Sequence, residues 1–354
     1  MKEDKSKISL FHFSEEGKFF RRLDLLKSLP NIPFKCALFI YDKRYDILQI
    51  FSDLEYGFIK KFEQIDEDEE KKLFYCDYEK KKEDKISNIY FIIYKNKPIA
   101  LLISNQIREE WKSSLSFFNK FYPFLARIFL RSFQILNVLK FIEENNKLNL
   151  IAKSYVAKRY FGNRKSEICY EKISYEKAFN QAISNDLWID SIVIGIEEKS
   201  DYLGSVRLNR KGIFSYRGLL FSDFYKKFIV KVIEFFITSF GTILENKSRS
   251  IENLESKPVK LTLSDEVFLR SEDFDNLINK IKNGLKNWGY SILSKNNNFG
   301  QIMLHDYSSG ASFDLYISSS KEMYIIPQTQ VTEISFNRLL TWILDNFEGE
   351  LENV

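Results

Sequence analysis

The chain has 354 residues, 44% hydrophobic and 16% aromatic, with 53 Lys and Arg against 49 Asp and Glu. That length exceeds one typical core of about 100–200 residues, so two or three domains are expected, and the apolar content excludes a disordered chain. Two histidines, three scattered cysteines (Cys36, Cys76 and Cys169), and neither a G-x-x-x-x-G-K-[ST] nor a G-x-G-x-x-G loop argue against the usual zinc, disulfide-framework, P-loop and Rossmann classes.

Charge is unevenly spread. Residues 1–100 carry 20 Lys and Arg against 19 Asp and Glu, residues 101–250 carry 24 against 15, and residues 251–354 carry 9 against 15. A basic middle beside an acidic end points to a polyanion, or an acidic protein surface, as the partner of the middle. The start, MKEDKSKISLFHFSEEGKFFRR, has charge where a signal peptide needs an apolar core. The most apolar run, Phe228 to Leu244, contains Lys231 and Glu234 and falls short of a bilayer span. A cytoplasmic location without stable membrane insertion is therefore expected.

In chain order, KFFRRLDLLKSL (18–29) predicts a short amphipathic helix stopped by Pro30 and Pro33. FKCALFIYDKRYDILQIF (34–51) reads as a hairpin around a charged turn, and NIYFIIYKNKPIALLIS (88–104) as a second. The charge blocks FEQIDEDEEKK (62–72) and DYEKKKEDK (77–85) between them read as exposed loop and solvated edge. From Arg108 to Asn145, apolar residues recur at three or four, predicting a helix pair or one helix kinked at Pro123. Arg127, Arg131 and Lys140 belong to no single stripe there and are expected on an exposed face.

Tyr175–Asn185 predicts a helix, Trp188 opens a strand, two strands follow to Tyr216, and Ser222–Leu244 predicts a helix. The order recurs with helix Asp275–Asn287, strands from Trp288 to Gln328, and helix Ser335–Phe347. The fold class is α+β, with two or three antiparallel-sheet modules each packed on helices and a divergent internal repeat as an open alternative. The expected modules are 1–145, a basic one at 146–250 and an acidic one at 251–354.

Cations, aromatics and glycines interleave in AKSYVAKRYFGNRK (152–165) and SVRLNRKGIFSYRG (205–218). Cations at strand edges and turns suit phosphate, and adjacent rings can stack on bases. Lys153, Lys158, Arg159, Arg164, Lys165, Arg207, Arg210, Lys211 and Arg217 are the phosphate candidates, with Tyr155, Tyr160 and Tyr216 beside them. The expectation is a noncatalytic nucleic-acid-binding accessory subunit, for DNA or RNA, with a protein partner and no cofactor or metal. The Lys- and Phe-rich, Gly-poor usage matches an AT-rich prokaryotic genome, and defence against mobile elements is one setting for such a subunit.

Two alternatives stay open. The basic middle could dock an acidic protein partner, making the chain an interaction or sensor subunit. Asp190, Glu197 and Lys199 in WIDSIVIGIEEK resemble the carboxylate and Glu-x-Lys element of restriction-type nucleases, although both acids fall on one strand. His305 next to Asp306 is the other candidate for acid–base chemistry, and His12 reads as a surface residue.

Overall fold

The computed structural model describes residues 33–46, 49–50, 59–67, 69–79, 86–104, 107–158, 166–170, 172–199, 201–218, 224–244, 258–264, 266–296, 299–347 and 349–353. The helix expected at 18–29, His12, and the site candidates Arg159, Tyr160, Arg164 and Lys165 lie outside the described residues.

Strands β1 (Phe34–Tyr41), β2 (Ile59–Glu67), β3 (Lys71–Glu79), β4 (Ile86–Tyr94) and β5 (Ile99–Ser104) lead into helix α1 (Arg108–Phe118). A 3-10 turn at Asn119–Phe121 and strand β6 (Leu125–Arg127) separate α1 from α2 (Ser132–Asn146). There follow β7 (Asn149–Lys158), β8 (Ser166–Cys169), β9 (Ile173–Ser174), α3 (Tyr175–Ser184), β10 (Trp188–Glu198), β11 (Asp201–Asn209) and β12 (Ile213–Gly218). A π-turn at Tyr225–Ile229 opens α4 (Val230–Leu244). The rest runs β13 (Val259–Leu263), α5 (Ser271–Gly284), β14 (Trp288–Lys295), β15 (Gly300–Asp306), β16 (Ser312–Ile317), β17 (Glu322–Pro327), α6 (Glu333–Asn346) and β18 (Gly349–Asn353).

These elements form an α+β fold with two antiparallel sheets. The larger has twelve strands in the order β2-β3-β4-β5-β1-β12-β11-β10-β7-β8, with β6 added to β1 and β9 to β7. The smaller has six, in the order β14-β15-β16-β17-β13-β18. The expected boundary at 145/146 falls inside the large sheet, because β1 pairs with β12 from Phe34 opposite Tyr216 to Ala37 opposite Ile213.

Strand β1 is central and buried along its whole length, which is why its apolar run has no polar alternation. It takes β5, β6 and β12 as partners, and residues 49–50 are helical, so the hairpin expected at 34–51 does not form. The acidic block at 62–72 is not a loop. It forms much of the β2–β3 hairpin at the sheet edge, where a charged strand resists pairing with another chain. The hairpin at 88–104 forms as β4 and β5.

The repeat expected between 175–244 and 275–347 is not reproduced in the pairing. Strand β7 adds beside β10, the first strand of its meander, whereas β13 adds beside β17, the last of its own. The run β1 to β5 has the strand order of β13 to β17 instead.

On one face of the large sheet, α2, α3 and α4 cover Cys36, Leu38, Ile40, Ile192, Ile194, Val206, Leu208 and Phe214 in a core continuous with the small sheet. Helix α6 lies in that core, with Ile334, Phe336, Leu339, Leu340, Ile343 and Leu344 all buried. A helix apolar on most of its circumference needs cover on two sides, and each such side chain contributes about 1.5–3 kcal/mol of burial. Its start is fixed by Thr332, whose Oγ1 accepts from Ser335 N at 3.0 Å. On the opposite face, α1 packs Trp111, Leu115 and Phe118 over Ala37, Phe39, Phe91 and Leu102. No described helix is long and apolar enough to cross a membrane.

Candidate nucleic-acid interface

The second face of the large sheet changes character past α1. Strand alternation places Lys35 with Ala37 and Phe39, on the α1 side. Pairing then carries one row of residues across the sheet: Lys35 opposite Ser215, Ser215 opposite Arg207, Arg207 opposite Val193, and Val193 opposite Ser154. Four inter-strand spacings make this row about 19 Å long. The next row runs Arg217, Ser205 and Gly195. Small side chains thus form the floor, and cations stand along it.

Lys153 completes the second row through a β-bulge. Val193 pairs with Ser154 and Ile194 with Ala152, which leaves Lys153 as the extra residue of β7. Its chain crosses β10 over Gly195, where a Cβ would come within 2.8 Å of Lys153 Cε. Nζ then donates to Tyr202 Oη at 2.8 Å and lies 4.1 Å from that ring's centroid. Burial raises the Tyr202 phenol pKa, but hydrogen bonds with Lys153 and Ser205 and the lysine's charge bring it below its ordinary value.

Between this floor and α1 lies a groove of about 710 Å³. Arg108 and Lys112 line its helical wall one turn apart, and Lys35, Arg207 and Arg217 line the sheet side. No Asp or Glu is among its lining residues. Arg108, Lys112, Arg207 and Arg217 are exposed. Lys35 is 8% exposed, and burial lowers its pKa; Glu109 and Glu110 pull it back up, while Arg217 pushes it further down. With cations on both sides and Glu109 and Glu110 acting only from α1, the positive lining favours an anionic occupant. Trp111 is 5% exposed, so it is a wall of the groove and offers no open stacking face.

The structure gathers Lys153, Arg207 and Arg217 on this face. It separates the other described candidates from it. Arg210, expected on phosphate, is 1% exposed, with Nη2 donating to the Leu344 carbonyl at 2.7 Å and the guanidinium over the Phe129 ring. In the β11–β12 turn that holds it, Arg210 points at α6 while its neighbour Lys211 remains exposed. Tyr155 and Tyr216, expected beside bases, are interior because alternation puts them with Ala157 and Phe214 in the helix-covered core. Tyr155 Oη donates to Gln181 Oε1 at 3.3 Å, and Tyr216 stacks on Phe224 at 4.1 Å. Lys158 is paired with Asp190 at 2.7 Å, and Lys211 faces Asp345 at 3.6 Å.

The rows also place the alternatives. Asp190 and Glu197 sit seven residues apart on β10, about 23 Å at the rise of a strand, too far to share a metal ion. Glu197 accepts from Asn149 Nδ2 at 3.1 Å. Among the described residues no group of three or more His, Cys, Asp or Glu is placed to hold a metal. His305 and Asp306 are strand neighbours with separate partners: His305 Nδ1 meets Ser312 Oγ at 2.8 Å, and buried Asp306 accepts from Tyr122, Ser309 and Arg338. The expected base and orienter are not joined.

Arg127 and Arg131, expected on an exposed helical face, are half-buried and buried; Arg131 Nη1 donates to the Gly349 carbonyl. Sequence reasoning missed Lys35, Arg108 and Lys112. The four-residue spacing of the last two was a readable sign of a shared helical face, whereas Lys35 is hidden in an apolar run. No protein-family model matches the chain, and a search of curated proteins finds no significant similarity.

Proposed function

We propose that the chain is a noncatalytic nucleic-acid-binding accessory subunit whose polymer lies across β1, β12, β11 and β10, between the sheet and α1. The observation that supports it is the row Lys35, Ser215, Arg207, Val193, Ser154 with Arg217 and Lys153 beside it: small floor residues admit a backbone, and the cations meet phosphates along it. Base identity has little to read it there, so binding should be broad in sequence.

The test is a titration of single- and double-stranded DNA and RNA over a range of salt, with wild type and the Arg207→Gln/Arg217→Gln variant. Each lost phosphate contact removes about 0.7 from the logarithmic salt slope for single strands and about 0.9 for duplex DNA, so the double variant should lose about 1.4 or 1.8. At 0.1 M salt that is roughly a 25-fold loss for single strands. Absence of binding to all four polymers would overturn the proposal and transfer this face to an acidic protein partner.

A further inference from the structure

A second cavity, of about 300 Å³, lies where β6 meets α6 and shares no lining residue with the groove. Arg127 of β6, Lys211 of the β11–β12 turn, and Arg338, Thr341 and Asp345 of α6 supply charge and hydrogen bonding, with Phe129 as an apolar wall. Three cations thus face one carboxylate within the cavity.

Those cations are unequally committed. Arg338 is held by Asp306 Oδ1 at 3.4 Å and by the Lys286 carbonyl at 2.8 Å, and it lies 4.0 Å from the centroid of the Tyr122 ring. Lys211 and Asp345 approach to 3.6 Å with both side chains nearly half exposed, a pair of little strength. Arg127 has no carboxylate within 4.0 Å among the described residues, and its guanidinium makes no hydrogen bond to any of them. Burial lowers its pKa, with Asp345 opposing. Thr341 Oγ1, on the α6 side, is buried without a hydrogen-bond partner.

The half-buried Arg127 guanidinium, with no carboxylate within 4.0 Å among the described residues, and the half-exposed Lys211 share one cavity, and one anion would meet both. The cations come from three directions: Arg127 on β6, Lys211 on the β11–β12 turn and Arg338 on α6. A tetrahedral phosphate offers oxygens to all three, where a planar carboxylate offers two. The volume exceeds that of a bare ion and falls at the lower end of small-molecule pockets, and the half-buried Tyr122 and Ala126 leave room for a compact organic body.

We propose that the cavity between β6 and α6 binds a small phosphomonoester, with Arg127 and Lys211 on the phosphate, Arg338 on its α6 side, and Tyr122 and Ala126 beside the organic group. Such a ligand would bridge the large sheet to α6. It therefore stabilises the junction of the two sheets by mass action.

The test uses the full chain, with calorimetric titration and thermal unfolding in inorganic phosphate and in phenyl phosphate, against chloride at equal ionic strength. Phenyl phosphate should bind more tightly than inorganic phosphate and raise the midpoint of unfolding. Arg127→Gln should weaken phenyl phosphate about tenfold or more, as expected for loss of a charged hydrogen bond. Lys211→Gln should weaken it as well, and the Arg207→Gln/Arg217→Gln variant should leave it unchanged. A response no larger than that to chloride, or unaltered affinity in both Arg127→Gln and Lys211→Gln, overturns the proposal. If Arg127→Gln does not fold, unaltered affinity in Lys211→Gln overturns it alone, since that side chain is about half exposed.

Discussion

Arg210→Ala separates a structural cation from a ligand-binding one. The arginine is 1% exposed, its Nη2 donates to the Leu344 carbonyl at 2.7 Å, and its guanidinium sits 4.8 Å from the Phe129 ring centroid. Leu344 lies in the last turn of α6, where carbonyls have no partner within the helix and a cation also meets the negative end of the helix dipole. Alanine would remove a charged hydrogen bond of about 1.5–3 kcal/mol and a desolvated cation–π contact of up to about 2 kcal/mol, and would leave a cavity. Relief of guanidinium desolvation offsets part of this, so the expected loss is about 2–4 kcal/mol. Urea unfolding followed by tryptophan fluorescence should show a lower midpoint with an unchanged slope, while nucleic-acid affinity of the folded variant stays at the wild-type level. Stability within about 0.5 kcal/mol of wild type, together with a tenfold loss of binding, would show that the side chain reaches the polymer and would refute this placement.

Two further predictions concern single groups. Burial depresses the Lys35 pKa below its ordinary 10.5, so the unfolded chain holds this proton to higher pH. Its contribution to stability therefore rises with pH between the folded and unfolded values, whereas its attraction for an anion is lost as pH rises through the folded value. Nucleic-acid affinity should begin to decline below pH 10.5, and Lys35→Gln should remove that component; identical pH profiles would sink the assignment of Lys35 to the groove. Asp306 is fully buried and accepts from Tyr122 Oη, Ser309 Oγ at 2.7 Å and Arg338 Nη1 at 3.4 Å. Asp306→Ala strands a cation and should cost about 3–5 kcal/mol in urea unfolding, whereas Tyr122→Phe should cost about 1.5–3 kcal/mol; equal losses would contradict the central place of the carboxylate.

The elements legible in the sequence are those whose pattern is local. Helices α3 and α6 show their faces at three- and four-residue spacing, and β10 to β12 and β15 to β17 alternate as half-covered strands do. Strand β1 misled because a strand buried on both faces loses its alternation, and its partners lie as far away in sequence as Tyr216 is from Phe34. The β2–β3 hairpin misled in the opposite way, since the charge that protects a sheet edge also reads as a loop. At the candidate site, Lys153, Arg207 and Arg217 were found because cations cluster near them in the sequence. Arg210 and Tyr216 belong to the same cluster yet point inward. Nothing within SVRLNRKGIFSYRG tells which side of the strand a second sheet or a helix will cover.

The positive charge in the middle of the chain has three destinations. Part of it holds the acidic C-terminal region in place: Arg210 on the Leu344 carbonyl and Arg131 on the Gly349 carbonyl. Part is neutralised within the middle itself, as Lys158 is by Asp190 and Lys227 by Glu198. Among the described residues, the cations that face the open sheet are Lys153, Arg207 and Arg217, joined by Lys35 and by Arg108 and Lys112 from α1. An excess of nine charges over residues 101–250 therefore overstates the phosphates that the surface can engage. With about four to six contacts, the salt slope for a single strand should lie near −3 to −4, and a slope of about −6 would mean that cations outside this face also reach the polymer.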